Sequence, residues 1–291
     1  MTQIKSNITT NEPHLQLGNK ARELFTYRYL LQNLVIRDLK VRYKNSVLGV
    51  LWSLLNPMLM MIVFSIIFTV AFGRQDIREY PVFFLVGLIP WQFFSGSLIS
   101  GTVSITGNSG LVKKIFFPRE MLPVAAVLSN LVNFGFAMIV LVVFLYAFGL
   151  GLTWHALWVI PLLITQIIFV LGLVFLLGSI NVFYRDVLMI LDVVVLAWFF
   201  LTPIMYPLDL FGSSQVLLGI EFDPGQVMRW VNPMASIIDG YRTVLWGNME
   251  SSGPVPMFVP YVIRTFVTSV IVFIMGYLVF LRTEGLFGEK L

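Results

Sequence analysis

Cysteine is absent from the 291 residues, and histidine occurs only as His14 and His155. The first absence excludes disulfides, thiolate nucleophiles and Cys-ligated metals. The second, with the imidazoles far apart and away from any carboxylate pair, leaves no His-based metal or acid–base centre. Charge is also scarce: 12% of residues are Asp, Glu, Lys or Arg, against roughly 25% in soluble domains. No GxxxxGK[ST] phosphate loop occurs, so the chain does not hydrolyse ATP by that route, and HExxH and the nucleophile elbow are missing too. Ion-coupled carriers keep ionisable groups inside their spans. Here Asp192 and Arg264 come nearest, both close to span ends, and Asp192 reads as an interface residue.

What fills the chain instead is apolar: 58% of residues are hydrophobic and the mean hydropathy is +0.87. The net charge of +4 and pI near 9.3 come from cations at span ends, so nucleic acid is excluded as a partner. The segment 37–73 organises the rest, because a basic run (Arg37, Lys40, Arg42, Lys44) leads into an apolar run with no charge between Asn45 and Gly73. Crossing a bilayer core takes about 20 apolar helical residues. Lys and Arg collect on the cytoplasmic flank, which places the N-terminal side inside.

The sequence therefore predicts an all-α polytopic membrane protein with six transmembrane helices at about 46–72, 81–105, 121–150, 156–183, 188–206 and 258–281. Both ends are expected in the cytoplasm. Residues 1–20 read as a flexible tail, 21–45 as an amphipathic helix lying in the interface, 46–282 as the six-span domain and 283–291 as a second tail. Asn56-Pro57 predicts a kink in the first span. Ser97, Ser100, Gly101 and Ser104 share a helix face, which serves either close packing or a hydrated path; Ser129, Asn130 and Asn133 read as interhelical glue. His155 falls between Trp154 and Trp158 in an aromatic belt.

Two stretches resist a simple reading. The inner loop 107–120 is basic at its edges but apolar at its centre (Leu111, Val112, Ile115, Phe116, Phe117), which marks a docking surface or a piece lying in the headgroups. The outer segment 207–259 is far longer than an ordinary connection. Its apolar pieces 216–220 and 227–246 predict helices on or in the outer leaflet.

RDLKVRYKNSVLGVLWSLLNP, LVKKIFFPREMLP, NVFYRDV, LTPIMYPLD and VNPMASIIDGYRTVLWG, in this order, resemble the permeases of bacterial polysaccharide exporters in the ABC transporter type-2 permease family. Those proteins export O-antigen, capsular polysaccharide or teichoic acid across the bacterial inner membrane. The resemblance runs from about Arg22 to near the end. It implies a half-transporter with short external gating helices between spans five and six, working as a homodimer with two ATPase subunits, which in some cases carry a carbohydrate-binding domain. ATP and Mg then belong to the partner, and this chain has no cofactor. The resemblance makes Leu111, Val112, Lys113, Lys114, Ile115, Phe116, Phe117, Pro118, Arg119 and Glu120 the ATPase-coupling segment, with Arg185 and Asp186 a second contact.

Chemistry suggests two further sites. Pyranose rings have apolar faces, so Phe68, Phe72, Trp91, Phe94, Trp198, Phe199, Phe200 and Tyr206 are candidates for a sugar channel; membrane anchoring by aromatics is the competing explanation. Arg37, Lys40, Arg42 and Lys44 are candidates for the diphosphate of a lipid-linked polymer, though orientation alone also accounts for them. The rival functions are export of a small hydrophobic drug or lipid by the same fold, and a membrane enzyme of polymer assembly. The enzyme would need a carboxylate pair or metal site, and Glu221 with Asp223 lacks basic or histidine partners.

Overall fold

The computed structural model describes residues 26–67, 77–115, 117–208, 215–217, 220–249 and 251–291. Helix α1 (Arg28–Tyr43) lies across the end of a bundle formed by α2 (Trp52–Ile66), α3 (Tyr80–Val103), α5 (Met121–Ala147), α6 (Val159–Phe183), α7 (Val187–Phe200) and α10 (Val259–Thr283). A short α4 (Ser109–Lys114) joins α3 to α5. Between α7 and α10 come β1 (Gln215–Leu217), β2 (Ile220–Phe222), α8 (Pro224–Val231) and α9 (Pro233–Leu245). A last turn, α11 (Phe287–Lys290), follows α10.

Helix α3 is the axis. It packs against α2, α5, α6, α7 and α9, and the run from Val82 to Val86 is at most 1% exposed. A helix apolar on every side is stable only when surrounded. Its small residues set how closely the neighbours approach: a Cβ at Gly101 would come within 2.5 Å of Val174 on α6. Of the stripe, Ser97, Gly101 and Ser104 are buried and the half-buried Ser100 accepts from Asn130 Nδ2 at 2.8 Å, which favours close packing over a water path. The most intimate pair is α6 with α10. There a Cβ on Gly276 would overlap the Gly172 carbonyl oxygen, and one on Gly172 would lie 2.6 Å from the Phe273 backbone. Glycines at such crossings let backbones touch and gain dispersion contact without side chains between them.

Helices α3, α5, α6 and α10 are long and apolar enough to cross a membrane; α2 and α7 are shorter apolar helices. Helix α7 has 14 residues, about 21 Å of rise against a hydrocarbon core of about 30 Å. The expected fifth span through 206 is thus corrected: the helix stops at Phe200 because Pro203 forces the preceding residue out of helical geometry, and 201–206 form a turn. Helix α2 runs through Pro57, which is buried, and its continuation leads out of the described residues. Of the apolar piece 216–220, the described residues 216, 217 and 220 are in strands and not in a helix. They contribute to a small antiparallel ribbon in which Val216 pairs with Glu221, as suits residues of high strand propensity. The piece 227–246 is two helices, broken at Asn232-Pro233.

Candidate functional site

Three neighbourhoods collect the candidate residues. The first lies at the end of the bundle where α4 turns into α5. Val112 and Phe117 are buried in a cluster with Leu34, Met121, Phe175, Phe280 and Phe287, so the loop's apolar centre is in part covered by its own chain. Lys113, Lys114 and Ile115 stand exposed, with Ile115 at 55%. Leu111, Pro118 and Arg119 are half-buried. Phe116 lies outside the described residues. Glu120 is 1% exposed at the N-cap of α5, where the helix dipole favours a carboxylate. The exposed side chains border a groove of about 600 Å³ shared with Tyr27, Glu284 and Gly285. Of the second expected contact, Tyr184, Arg185 and Asp186 are exposed, whereas Asn181 is buried and donates to Thr102 O and Thr106 Oγ1, both at 3.1 Å.

The second neighbourhood begins on α1. Leu30, Leu31, Leu34 and Val35 pack into the cluster just described, while Tyr29, Ile36 and Val41 are exposed on other faces. Residues 21–25 of the expected amphipathic helix lie outside the described residues. The four cations divide. Arg37, Lys40 and Lys44 surround a shallow hollow of about 500 Å³ with Asn33, Ile36 and Val41, and Arg37 holds Asp38 at 2.9 Å. Arg42 points away, donating to Asn130 Oδ1 at 3.1 Å. Asn130 in turn donates to Ser100 Oγ at 2.8 Å, and the Tyr43 hydroxyl donates to Asn133 Oδ1 at 2.6 Å. These bonds tie α1 and α3 to α5, the gluing role expected of the two asparagines. They also line a cleft of about 430 Å³ whose polar wall adds Ser53, Asn56, Gln92 and Ser95. Gln92 carried no sequence signal beyond being polar within an apolar run, and Asn56 only that of the kink expected at Asn56-Pro57.

The third neighbourhood lies where the middles of α3 and α6 meet the last turn of α7. Trp91, Phe94, Phe169, Trp198 and Phe199 form a mutually packed set, with Phe94–Trp198 centroids 5.0 Å apart and Trp91–Phe199 5.7 Å. Phe94 is fully buried and Trp91 is 5% exposed, so both belong to the bundle core rather than to an open wall. Trp198 donates its indole N–H to Asn232 Oδ1 at 2.9 Å. Phe200 is 57% exposed, and the Tyr206 hydroxyl donates to Phe200 O at 2.9 Å. Phe68 and Phe72 lie outside the described residues.

Beside this set sits Arg242, which by sequence counts as an external charge. It is 4% exposed and donates to the carbonyls of Pro203, Ile204 and Tyr206, with the Ile204 bond at 2.5 Å. Its guanidinium carbon is 3.7 Å from the Phe83 ring centroid. Burial pulls its pKa down to about 9, while Asp239, Tyr80 and Tyr206 oppose the shift, so it remains a cation at neutral pH. Asp192, by contrast, is exposed on α7. Arg264 is half-buried, with its guanidinium 4.6 Å from the Trp230 ring and donating to Ser236 Oγ at 2.5 Å. Among the described residues no three His, Cys, Asp or Glu side chains gather as a metal site.

A bundle whose long apolar helices are packed by glycines and interhelical amides, with a basic, partly apolar groove at one end, is the build of a multi-pass membrane protein. The chain belongs to the ABC-2 type transporter family, whose sequence profile matches residues 29–246. It is 38% identical over 225 residues to the O-antigen export system permease protein RfbA of Myxococcus xanthus, covering 77% of this chain and 83% of that one. It is 32% identical over 270 residues to the protein of the same name from Klebsiella pneumoniae, covering 90% and 96%. The polysialic acid transport protein KpsM of Escherichia coli is 26% identical over 235 residues, covering 77% and 83%.

Proposed function

We propose that the chain is the transmembrane subunit of an ATP-driven exporter that moves lipid-linked, O-antigen-like polysaccharide from the cytoplasmic to the outer side of the bacterial inner membrane. The observation that carries this reading is the 32% identity to a named O-antigen export permease over nearly the full length of both chains. In this reading α2 and α7 complete six spans, both termini are cytoplasmic, and the Lys113 end of the bundle faces the cytoplasm. The chain brings no nucleotide site, so ATP and Mg act on two partner ATPase subunits that dock at 111–120 and at Arg185–Asp186. Rigid-body displacement of that docking surface would shift helices packed around it, since packed interfaces move between discrete arrangements.

Two copies would enclose the channel. The exposed apolar residues of α2 (Leu59, Met60, Ile62, Val63, Ile66) and α7 (Met189, Ile190, Val193, Leu196) supply faces for a second copy as well as for lipid. Sugar-facing aromatics would come from Phe199, Phe200 and Tyr206, with Trp91 and Phe94 supporting them from the core. Arg37, Lys40 and Lys44, which share one hollow, make the better diphosphate site; Arg42 is committed to Asn130. Helices α8 and α9 with the ribbon would form the external gate.

The test is export itself. Deleting the chain should remove polymer from the cell surface and trap it, lipid-linked, inside; restoring it with Phe200→Ala should recover insertion and ATPase binding but lower surface polymer several-fold. Surface polymer that persists in the deletion strain would reject the cargo. Loss of drug or lipid efflux with polymer intact would favour the small-molecule exporter.

A further inference from the structure

The last ten residues of the sequence, RTEGLFGEKL, read as a cytoplasmic tail when taken from sequence. The fold treats them otherwise. A single 3-10 turn (Glu284–Leu286) leads into α11, and Phe287 enters the core with no exposed surface. Its ring centroid is 5.5 Å from Phe280 on α10 and 6.4 Å from Phe183 on α6. Phe280 in turn lies 5.0 Å from Phe175, so an aromatic column connects the closing segment to the middle of the bundle. Val112 and Phe117 of the candidate docking loop belong to the same buried cluster, and α11 packs against α4.

That anchorage sets the turn beside the exposed basic side chains. Glu284 and Gly285 line the same groove as Lys113, Lys114, Ile115 and Arg119. Three cations against one carboxylate suit an acidic rim on whatever docks there, and the exposed Ile115 suits an apolar projection at its centre. A soluble acidic and apolar protein surface fits this groove; a bilayer headgroup layer, lacking such a projection, does not.

We propose that residues 284–291 are a wall of the ATPase docking surface, pinned there by Phe287. The inference rests on the reading of 111–120 as the ATPase contact and extends it to a segment nothing else assigns. Its mechanical consequence is that a push on the docking loop reaches α10 and α6 through the Phe287 column, in parallel with the covalent route into α5.

Absence of cysteine makes the test direct. Gly285→Cys, Lys114→Cys and, at the far end, Ser252→Cys are each introduced singly, and maleimide labelling is compared between the permease and the permease co-purified with its ATPase. A Cβ at Gly285 meets nothing within 4 Å, so that substitution leaves the fold undisturbed. Protection of positions 285 and 114 by at least ten-fold, with 252 unaffected, is the expected result. Protection of 114 but not 285 overturns the inference and leaves the docking loop standing. Protection of neither removes the docking reading and the inference with it. Gly285→Trp, which fills the groove, should lower recovered ATPase at least ten-fold. Phe287→Ala should lower it several-fold with Phe287→Leu restoring it, and an alanine variant that captures ATPase like the parent overturns the pin.

Discussion

Arg242 shows how one residue can change the sense of a segment. Counted by sequence, it belongs with Arg74, Arg78 and Arg229 as charge on the external side. Folded, it donates to three carbonyls of the turn after α7, and a carbonyl left unmet in an apolar setting is costly. Five donors in a planar fork explain why arginine, not lysine, occupies the site. Arg242→Ala is expected to cost at least about 3 kcal/mol through orphaned carbonyls and the cavity left behind. Arg242→Lys should fall between. Thermal unfolding in detergent reads both, and an alanine variant melting with the parent would discard the staple. At the other crossing, Gly276→Val places its branches on the Gly172 carbonyl. Overpacking of this kind costs about 1–3 kcal/mol, and a normal yield of folded, monodisperse protein would contradict the packing described.

At the scale of elements, the junction between α7 and α9 depends on Asn232. Its Oδ1 caps α9 by accepting from the N–H groups of Met234 and Ala235 at 3.0 and 3.3 Å, and Pro233 follows at the first helical position, where a missing N–H costs nothing. The same oxygen accepts from Trp198, while Nδ2 donates to Thr202 Oγ1 at 3.0 Å. Losing the cap alone costs about 0.5–2 kcal/mol; losing the tie to α7 separates two elements as well. Asn232→Ala should therefore loosen α8 and α9 selectively, seen as faster hydrogen exchange across 224–245 with α3 unchanged. Uniform exchange throughout would place the residue outside this role. It follows that Trp198→Ala is a poor probe of a sugar channel, because it removes a structural bond. Phe200, exposed and beyond that network, is the cleaner position.

For the whole molecule, orientation is the quantity to measure. Lys113, Lys114 and Arg119 predict that their end of the bundle faces the cytoplasm, where positive charge is retained. A membrane-impermeant maleimide applied to intact cells should modify Ser252→Cys and spare Lys114→Cys, with both modified after lysis. The reverse pattern would invert the topology and move the docking groove to the wrong side for ATP.

Much of this architecture was written in the order of residues. Apolar runs long enough to span a membrane, proline and glycine breaks between them, and cations at one set of ends determined the long helices 80–103, 121–147, 159–183 and 259–283 to within a few residues, because helix formation in an apolar solvent is a local consequence of unsatisfied backbone. The basic, greasy composition of the loop at 111–119 was legible, but not that Val112 and Phe117 spend part of it on the chain's own buried cluster. Only the tertiary structure decided that Arg42 leaves its neighbours to bind Asn130, that Trp91 and Phe94 are core, and that Phe287 returns a seeming tail to the bundle. Each depends on partners distant in the chain, and burial of a charge or an aromatic ring is a property of those partners, which no local pattern of residues encodes.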